Sequence, residues 1–503
     1  MTDADRQHRL VVLMVGAVVA VFGALPFFLA TTFTGDDHLF LAFAQHVRTP
    51  LVAFIQDMHG GEFYRPLPMV LWWLLARIGG GATWPFAACA FFLHLLAAVE
   101  TALLVAAVTR THRTAALAGA LFFVAPGTRE AAYWYAASTD LLAVTFGLCA
   151  VLLSLRGRTF VAAVGVMAAC FSKESAAVLP ALVAVAHHAH DLQDGWRPAL
   201  RRGVRVIPAV ILVWVCRTLV LRGLGGSGDN AAPLGGKLLQ IVVGLVHVLP
   251  GQEALWQPLA AIAGGLGWLT LLGSAVARKR WRPLAALAWT GLAVAPLLAA
   301  PWVVGARYFY FAAVGVAWSW AQVLSGMPPV GPVLVLAALT GLSTAQAISR
   351  RADVSSYEAR VSAARRAVLA GQANGHQTFH IASGIKDIDL AVKEDPRLAG
   401  PASEDLIVLG DVPASFVLLR APGSSRVDFL LARPPLPPAG SYRFGDRRVV
   451  GLARRGDDPT LDEVLDRLPD LRFIRLRLAP GGRVVYRDVT DIVRAPPDLD
   501  GED

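Results

Sequence analysis

Long apolar runs recur along the first 349 residues and decide what this chain can fold into. Residues 10–30 and 330–348 contain no charged side chain, and each is long enough for a helix that crosses a bilayer, which takes about 20 apolar residues. The chain of 503 residues is 55% hydrophobic and only 17% charged, with a mean hydropathy of +0.52. A water-soluble fold of this size carries far more polar surface. The expected fold class is an all-α polytopic membrane protein with about 11 transmembrane helices, additional surface helices, and a soluble C-terminal α+β domain.

The basic segments orient these runs. Residues 10–30 follow Arg6, His8 and Arg9 and lack a small-residue cleavage site, so they read as a retained first span with the N-terminus inside. The next run, 67–78, is short and reads as a surface or partly dipping helix. Residues 84–108 return to the basic inner turn 110–113, 114–125 lead out to a polar outer segment at 126–140, and 141–155 lead back in. Residues 159–171 and 177–189 flank an outer turn at Ser172-Lys173-Glu174. The following loop, with Arg197, Arg201, Arg202 and Arg205, fits the inside. Further runs fall at 206–221, 259–277, 284–300, 311–324 and 330–348, and 238–249 reads as a second surface or re-entrant helix.

The formal net charge of +9 comes mainly from arginine, and in a membrane protein such loops set topology rather than bind nucleic acid. Cys89, Cys149, Cys170 and Cys216 all lie in apolar stretches with no CxxC spacing, which suggests neither disulfides nor a zinc site.

From residue 350 charges become frequent and long apolar runs stop. Residues 350–503 therefore read as a separate soluble domain after the transmembrane domain 1–349. It opens on a helical pattern and continues with short strand-like runs at 405–409, 415–419 and 427–431. A helix at 461–468 and a hairpin about Pro480-Gly481-Gly482 follow. An odd number of spans places this domain outside, in the periplasm if the membrane is a bacterial inner membrane.

This topology gathers Asp36, Asp37, Tyr64, Arg65, Arg129, Glu130, Trp134, Asp140, Lys173, Glu174, Arg307 and Tyr308 on one face. Ionisable groups at span ends are costly unless they are paired or functional. The acids can serve as a general base or as ligands for a divalent cation, and the arginines can grip a phosphate in bidentate fashion. Each also has a plainer reading. Asp36 and Asp37 can cap the next helix, Lys173–Glu174 can be only a turn, and Arg307 can be a snorkelling anchor. His187, His188 and His190 fall on the opposite face and read as a polar helix end rather than a metal site.

In sequence order these residues resemble the GT-C superfamily of membrane glycosyltransferases. More closely, they are similar to the protein O-mannosyltransferases and the transmembrane tetratricopeptide-repeat O-mannosyltransferases. The resemblance rests on Asp36-Asp37 within TGDDHLF, Tyr64-Arg65-Pro66-Leu67, and Pro126 with Glu130-Ala131, Trp134 and Asp140-Leu141-Leu142. Ser172-Lys173-Glu174 and Arg307-Tyr308-Phe309-Tyr310 complete it. It covers roughly residues 10–330 and leaves out the helical repeats, of which 350–503 shows none. It implies an inverting transferase that takes a monosaccharide from a polyprenyl-phosphate donor to a hydroxyl on a protein, lipid or glycan. Asp36 or Asp37 would be the base, with Asp140 as a second acid. Arg65, Lys173, Arg307 and Tyr308 would bind the donor phosphate, and Tyr64, Arg129, Glu130, Trp134 and Glu174 would line the substrate. A transporter or flippase for a polar or lipid-linked substrate is the second reading; it calls for charges at midspan and two similar halves. A structural scaffold is the third, and it leaves the one-sided charges without a role.

Overall fold

The computed structural model describes chiefly residues 63–223 (194 apart), 281–299 and 306–373. Short stretches of 32–55, a few isolated positions and eight strand segments between 378 and 488 are also described. The expected segments at 10–30, 259–277 and 461–468 lie wholly or almost wholly outside these residues, and 238–249 is described at only five positions, all helical. The chain divides into two compact units, Met1–Thr31 with Tyr64–Arg351, and Thr32–Phe63 with Ala352–Asp503.

Up to residue 373 the described elements are helices. They are α1 (Pro66–Gly79), α2 (Trp84–Thr109), α3 (His112–Val124), α4 (Arg129–Tyr133), α5 (Ser138–Leu155), α6 (Thr159–Ser172) and α7 (Leu179–His190). After these come α8 (Trp196–Val204), α9 (Ile207–Leu221), α10 (Trp281–Val294), α11 (Tyr310–Ser325) and α12 (Val330–Ala373). Pro66 opens α1, where a missing N–H costs no helical bond, and Gly80 closes it at φ 57°.

Four helical stretches among the described residues are long and apolar enough to cross a membrane: Trp84–Thr109, Tyr135–Leu155, Trp196–Leu221 and Val330–Ala370. This is the signature of an integral membrane protein. The surface agrees, because α2 exposes Phe92, Leu96, Val99 and Leu103, and α9 exposes Ile211, Leu212, Val215 and Leu219. Such faces suit lipid better than water.

Inside a bilayer helices associate by close packing rather than by expelling water, so small residues set the contacts. A Cβ added at Gly119 of α3 would lie 2.9 Å from the carbonyl oxygen of Ala98 in α2. One added at Gly315 of α11 would lie 2.3 Å from the Thr290 hydroxyl in α10. Trp72 fixes α1 at this core. Its ring lies 4.5 Å from that of Phe86, and its indole N–H donates to the Ser138 hydroxyl at 3.1 Å.

Two features depart from the sequence expectation. The segment 126–140, expected as a polar outer loop, folds into short helical turns with Arg129 1%, Tyr135 3% and Asp140 5% exposed. Its alanines and aromatics supply enough apolar surface to bury it. The basic loop before residue 206 is helical, as α8. Helix α12 runs for 44 residues, and the two compact units divide within it, between Arg351 and Ala352.

In the unit that holds Thr32–Phe63, the Thr34 N–H donates to the Asp37 carboxylate at 2.9 Å, while the Asp37 N–H donates to the Thr34 carbonyl at 3.2 Å. The Asp37 side chain thus caps the backbone N–H of Thr34, and the Asp37 N–H closes a turn on the same residue. The Tyr357 hydroxyl lies 2.6 Å from His38 Nε2 with the rings stacked, and the Thr32 hydroxyl donates to Glu358. Beyond residue 373 the described strands form two four-stranded sheets. In the first, β1 (Thr378–Ala382) lies parallel to β2 (Ile407–Leu409) and β7 (Leu471–Leu478). There β7 also pairs antiparallel with β8 (Val484–Asp488), with Leu478 opposite Val484. The second, from β3 (Phe416–Arg420), β4 (Val427–Ala432), β5 (Ser441–Phe444) and β6 (Arg447–Gly451), is antiparallel.

Candidate functional site

Lys173 and Glu174 follow α6 directly, where the helix gives way to an extended residue at Lys173 and then a 3-10 turn. The break sends the two side chains to different partners. The Lys173 ammonium meets the Asp140 carboxylate of α5 at 2.5 Å, and both side chains are only 7% exposed. Glu174 accepts from two guanidiniums: Arg65 at the start of α1 (2.9 Å) and Arg217 of α9 (3.0 Å). Arg65 binds in a fork, through Nε and Nη2.

A second pair adjoins through Tyr308. Arg307 donates to Glu130 of α4 from its side chain at 2.9 Å and from its backbone N–H at 2.9 Å. The same guanidinium lies 4.1 Å from the centre of the Trp134 ring and 4.6 Å from that of Tyr308. Lys173 also sits over Tyr308, at 4.6 Å, so that one ring faces two cations. Electron-rich rings attract such groups most strongly where water is excluded.

The electrostatics follow from burial. Desolvation pulls the Lys173 pKa below the usual lysine range; Asp140 opposes this, and Arg65 and Arg307 reinforce it. Burial alone would raise the Glu174 pKa, but Arg65 and then Arg217 outweigh it and bring it down to about 2. Among the described residues four cations (Arg65, Lys173, Arg217, Arg307) are paired with three carboxylates (Glu130, Asp140, Glu174). An anionic group entering here would meet donors already aligned in low dielectric.

The other expected residues lie as follows. Tyr64 is buried, its ring edge-on to Phe171 at 6.0 Å; burial, then Cys216, raises its pKa to about 12. Arg129 is 1% exposed, over the Phe123 ring at 5.4 Å. Asp37 lies in the other compact unit as the cap already described, and it is fully buried rather than solvated. Asp36 is outside the described residues. The three histidines of α7 go to separate partners. His187 meets Ser154 at 2.9 Å, His188 stacks on Trp196 at 3.9 Å, and His190 meets the Ala107 carbonyl at 2.9 Å. Among the described residues no group of three His, Cys, Asp or Glu side chains is arranged to hold a metal ion. The four cysteines are free thiols.

Two contributors escaped the sequence reading. Arg217 is a lone cation inside an apolar run, and a charge in that setting needs a partner; that signal could have found it. His94 of α2 lies between the Phe123 carbonyl (Nε2, 3.0 Å) and the Tyr310 hydroxyl (Nδ1, 2.7 Å). Its Nε2–H therefore donates to the carbonyl, and Nδ1 accepts from the tyrosine. Nothing in its local sequence marks this pairing. No protein-family model matches the chain, and no curated protein matches it.

Proposed function

We propose that the chain is an inverting glycosyltransferase of GT-C type, which moves a monosaccharide from a polyprenyl-phosphate donor to a hydroxyl acceptor at the outer face of a bacterial inner membrane. The observation that carries this reading is the cation-rich cluster of Arg65, Lys173, Arg217 and Arg307, buried among helices with lipid-suited faces. A lipid-linked donor needs a site reachable from the bilayer, and its phosphate leaves as an anion that cations must stabilise. In this reading Arg307, Lys173, Arg65 and Tyr308 take the phosphate. Trp134 offers a face for the sugar, with Tyr64, Arg129, Glu130 and Glu174 around the substrate. Asp36 or Asp37 removes the acceptor proton as the hydroxyl oxygen attacks the anomeric carbon. The bond to phosphate breaks on the opposite side, which inverts the configuration. Asp140 then acts chiefly by holding Lys173. The remaining spans, about 11 in all, and a periplasmic α+β domain belong to this proposal.

The purified chain incubated with labelled polyprenyl-phosphate sugars is expected to release the lipid phosphate and label an acceptor. Asp36→Asn with Asp37→Asn is expected to abolish transfer while expression holds, and full activity in that double variant would overturn the role of the acids. Arg307→Ala is expected to raise the donor requirement more than the acceptor requirement; equal losses would make it a structural anchor.

One observation favours the transporter reading. Glu100 lies well inside α2, only 6% exposed, and a buried midspan acid is a hallmark of coupled transport. Vesicles that take up a lipid-linked sugar, and lose uptake with Glu100→Gln but not with Asp36→Asn, would decide for it.

A further inference from the structure

We propose that α8 is a docking helix for anionic phospholipid headgroups, a role that does not depend on the glycosyltransferase reading. The helix has three distinct faces. Ala199 and Gly203 are buried against α7, so tightly that a Cβ on Gly203 would come within 2.3 Å of the Pro180 carbonyl oxygen. Trp196, Leu200 and Val204, spaced four apart on one side, are large apolar residues left 45%, 53% and 58% exposed. Arg197, Arg201 and Arg205 form a parallel row on the neighbouring side, all exposed, with Arg202 half-buried beside them.

This is the pattern of a helix lying in the headgroup zone, with its apolar edge toward acyl chains and its cations toward phosphates. Two further observations fix the occupant. No acid occurs between Trp196 and Leu221; Asp191 and Asp194 precede the helix. The row is therefore uncompensated along the helix and complements a negative surface. In addition, α8 leads directly into α9 as one candidate span, with Ile211, Leu212, Val215 and Leu219 exposed. The arginine row thus sits where an apolar surface suited to acyl chains begins. Guanidinium forks suit phosphodiester oxygens better than point-charge ammoniums do. His188 stacks on Trp196 at 3.9 Å and holds the ring at the head of the apolar edge.

The full-length chain, purified from mixed phosphatidylglycerol and phosphatidylcholine, is expected to retain phosphatidylglycerol preferentially. Each arginine removed in Arg197→Gln, Arg201→Gln and Arg205→Gln is expected to lower that preference about fivefold. The corresponding lysine variants should keep most of it. A photoactivatable phosphatidylglycerol is expected to label the peptide 196–205 of the unaltered protein, which decides the matter even if the glutamine variants do not fold. Equal retention of the two lipids, an unchanged preference in the triple variant, or label confined to other peptides would each overturn the proposal.

Discussion

Glu174 accepts from Arg65 and Arg217 at once, and its pKa near 2 makes that arrangement sensitive to acid. A carboxylate whose folded pKa lies below its unfolded value stabilises the fold above the unfolded pKa. That contribution is lost as pH falls toward the folded value. Between pH 4.5 and 2 the detergent-solubilised protein should therefore lose on the order of 3 kcal/mol from this group. Glu174→Gln should flatten the slope of melting temperature against pH in that window, and an unchanged slope would show that the ion triad contributes little. Asp140 and Lys173 form a pair in which each side chain is only 7% exposed. Asp140→Asn leaves a buried ammonium without its counter-charge and should cost about 3–5 kcal/mol. Asp140→Leu with Lys173→Met should recover most of the loss, read as melting temperature. The charges themselves were legible in sequence, because acids and bases beside apolar runs stand out. Their pairing was not, since Glu174 draws on α1 and α9, more than forty residues away on each side.

The helices were the most legible level, since apolar runs leave a chain in lipid little choice but to satisfy its own backbone. What the runs could not convey was the closeness of approach between helices. Gly315 and Gly291 look alike in sequence, yet a methyl group at Gly315 meets Thr290 at 2.3 Å and the Ala286 carbonyl at 2.8 Å, whereas Gly291 has nothing within 4 Å. Gly315→Ala should thus destabilise by about 1–3 kcal/mol, and Gly291→Ala should be neutral or slightly stabilising. Equal melting temperatures for the two would show that α10 and α11 are not in close contact. The buried course of 126–140 was hidden for another reason: Arg129, Glu130 and Asp140 give it a polar signature, and Phe123, Arg307 and Lys173, which lie outside the segment, help to offset their burial.

At the scale of the whole molecule, composition alone announced a membrane protein. The functional reading rests on how distant segments meet, which composition does not encode. The longest described helix is α12, Val330–Ala373. Its 44 residues, at about 1.5 Å each, make a rod of roughly 66 Å, while the hydrocarbon core is about 30 Å thick. The uncharged stretch 330–348 matches that thickness, so the charged residues from Arg350 onward fall past the acyl chains. The helix is in effect a depth gauge. Spin labels placed one by one along 335–370 should report falling access to dissolved oxygen and rising access to a water-soluble nickel complex. The crossover is expected near Arg350, with a ripple of 3.6 residues that continues across it without a break.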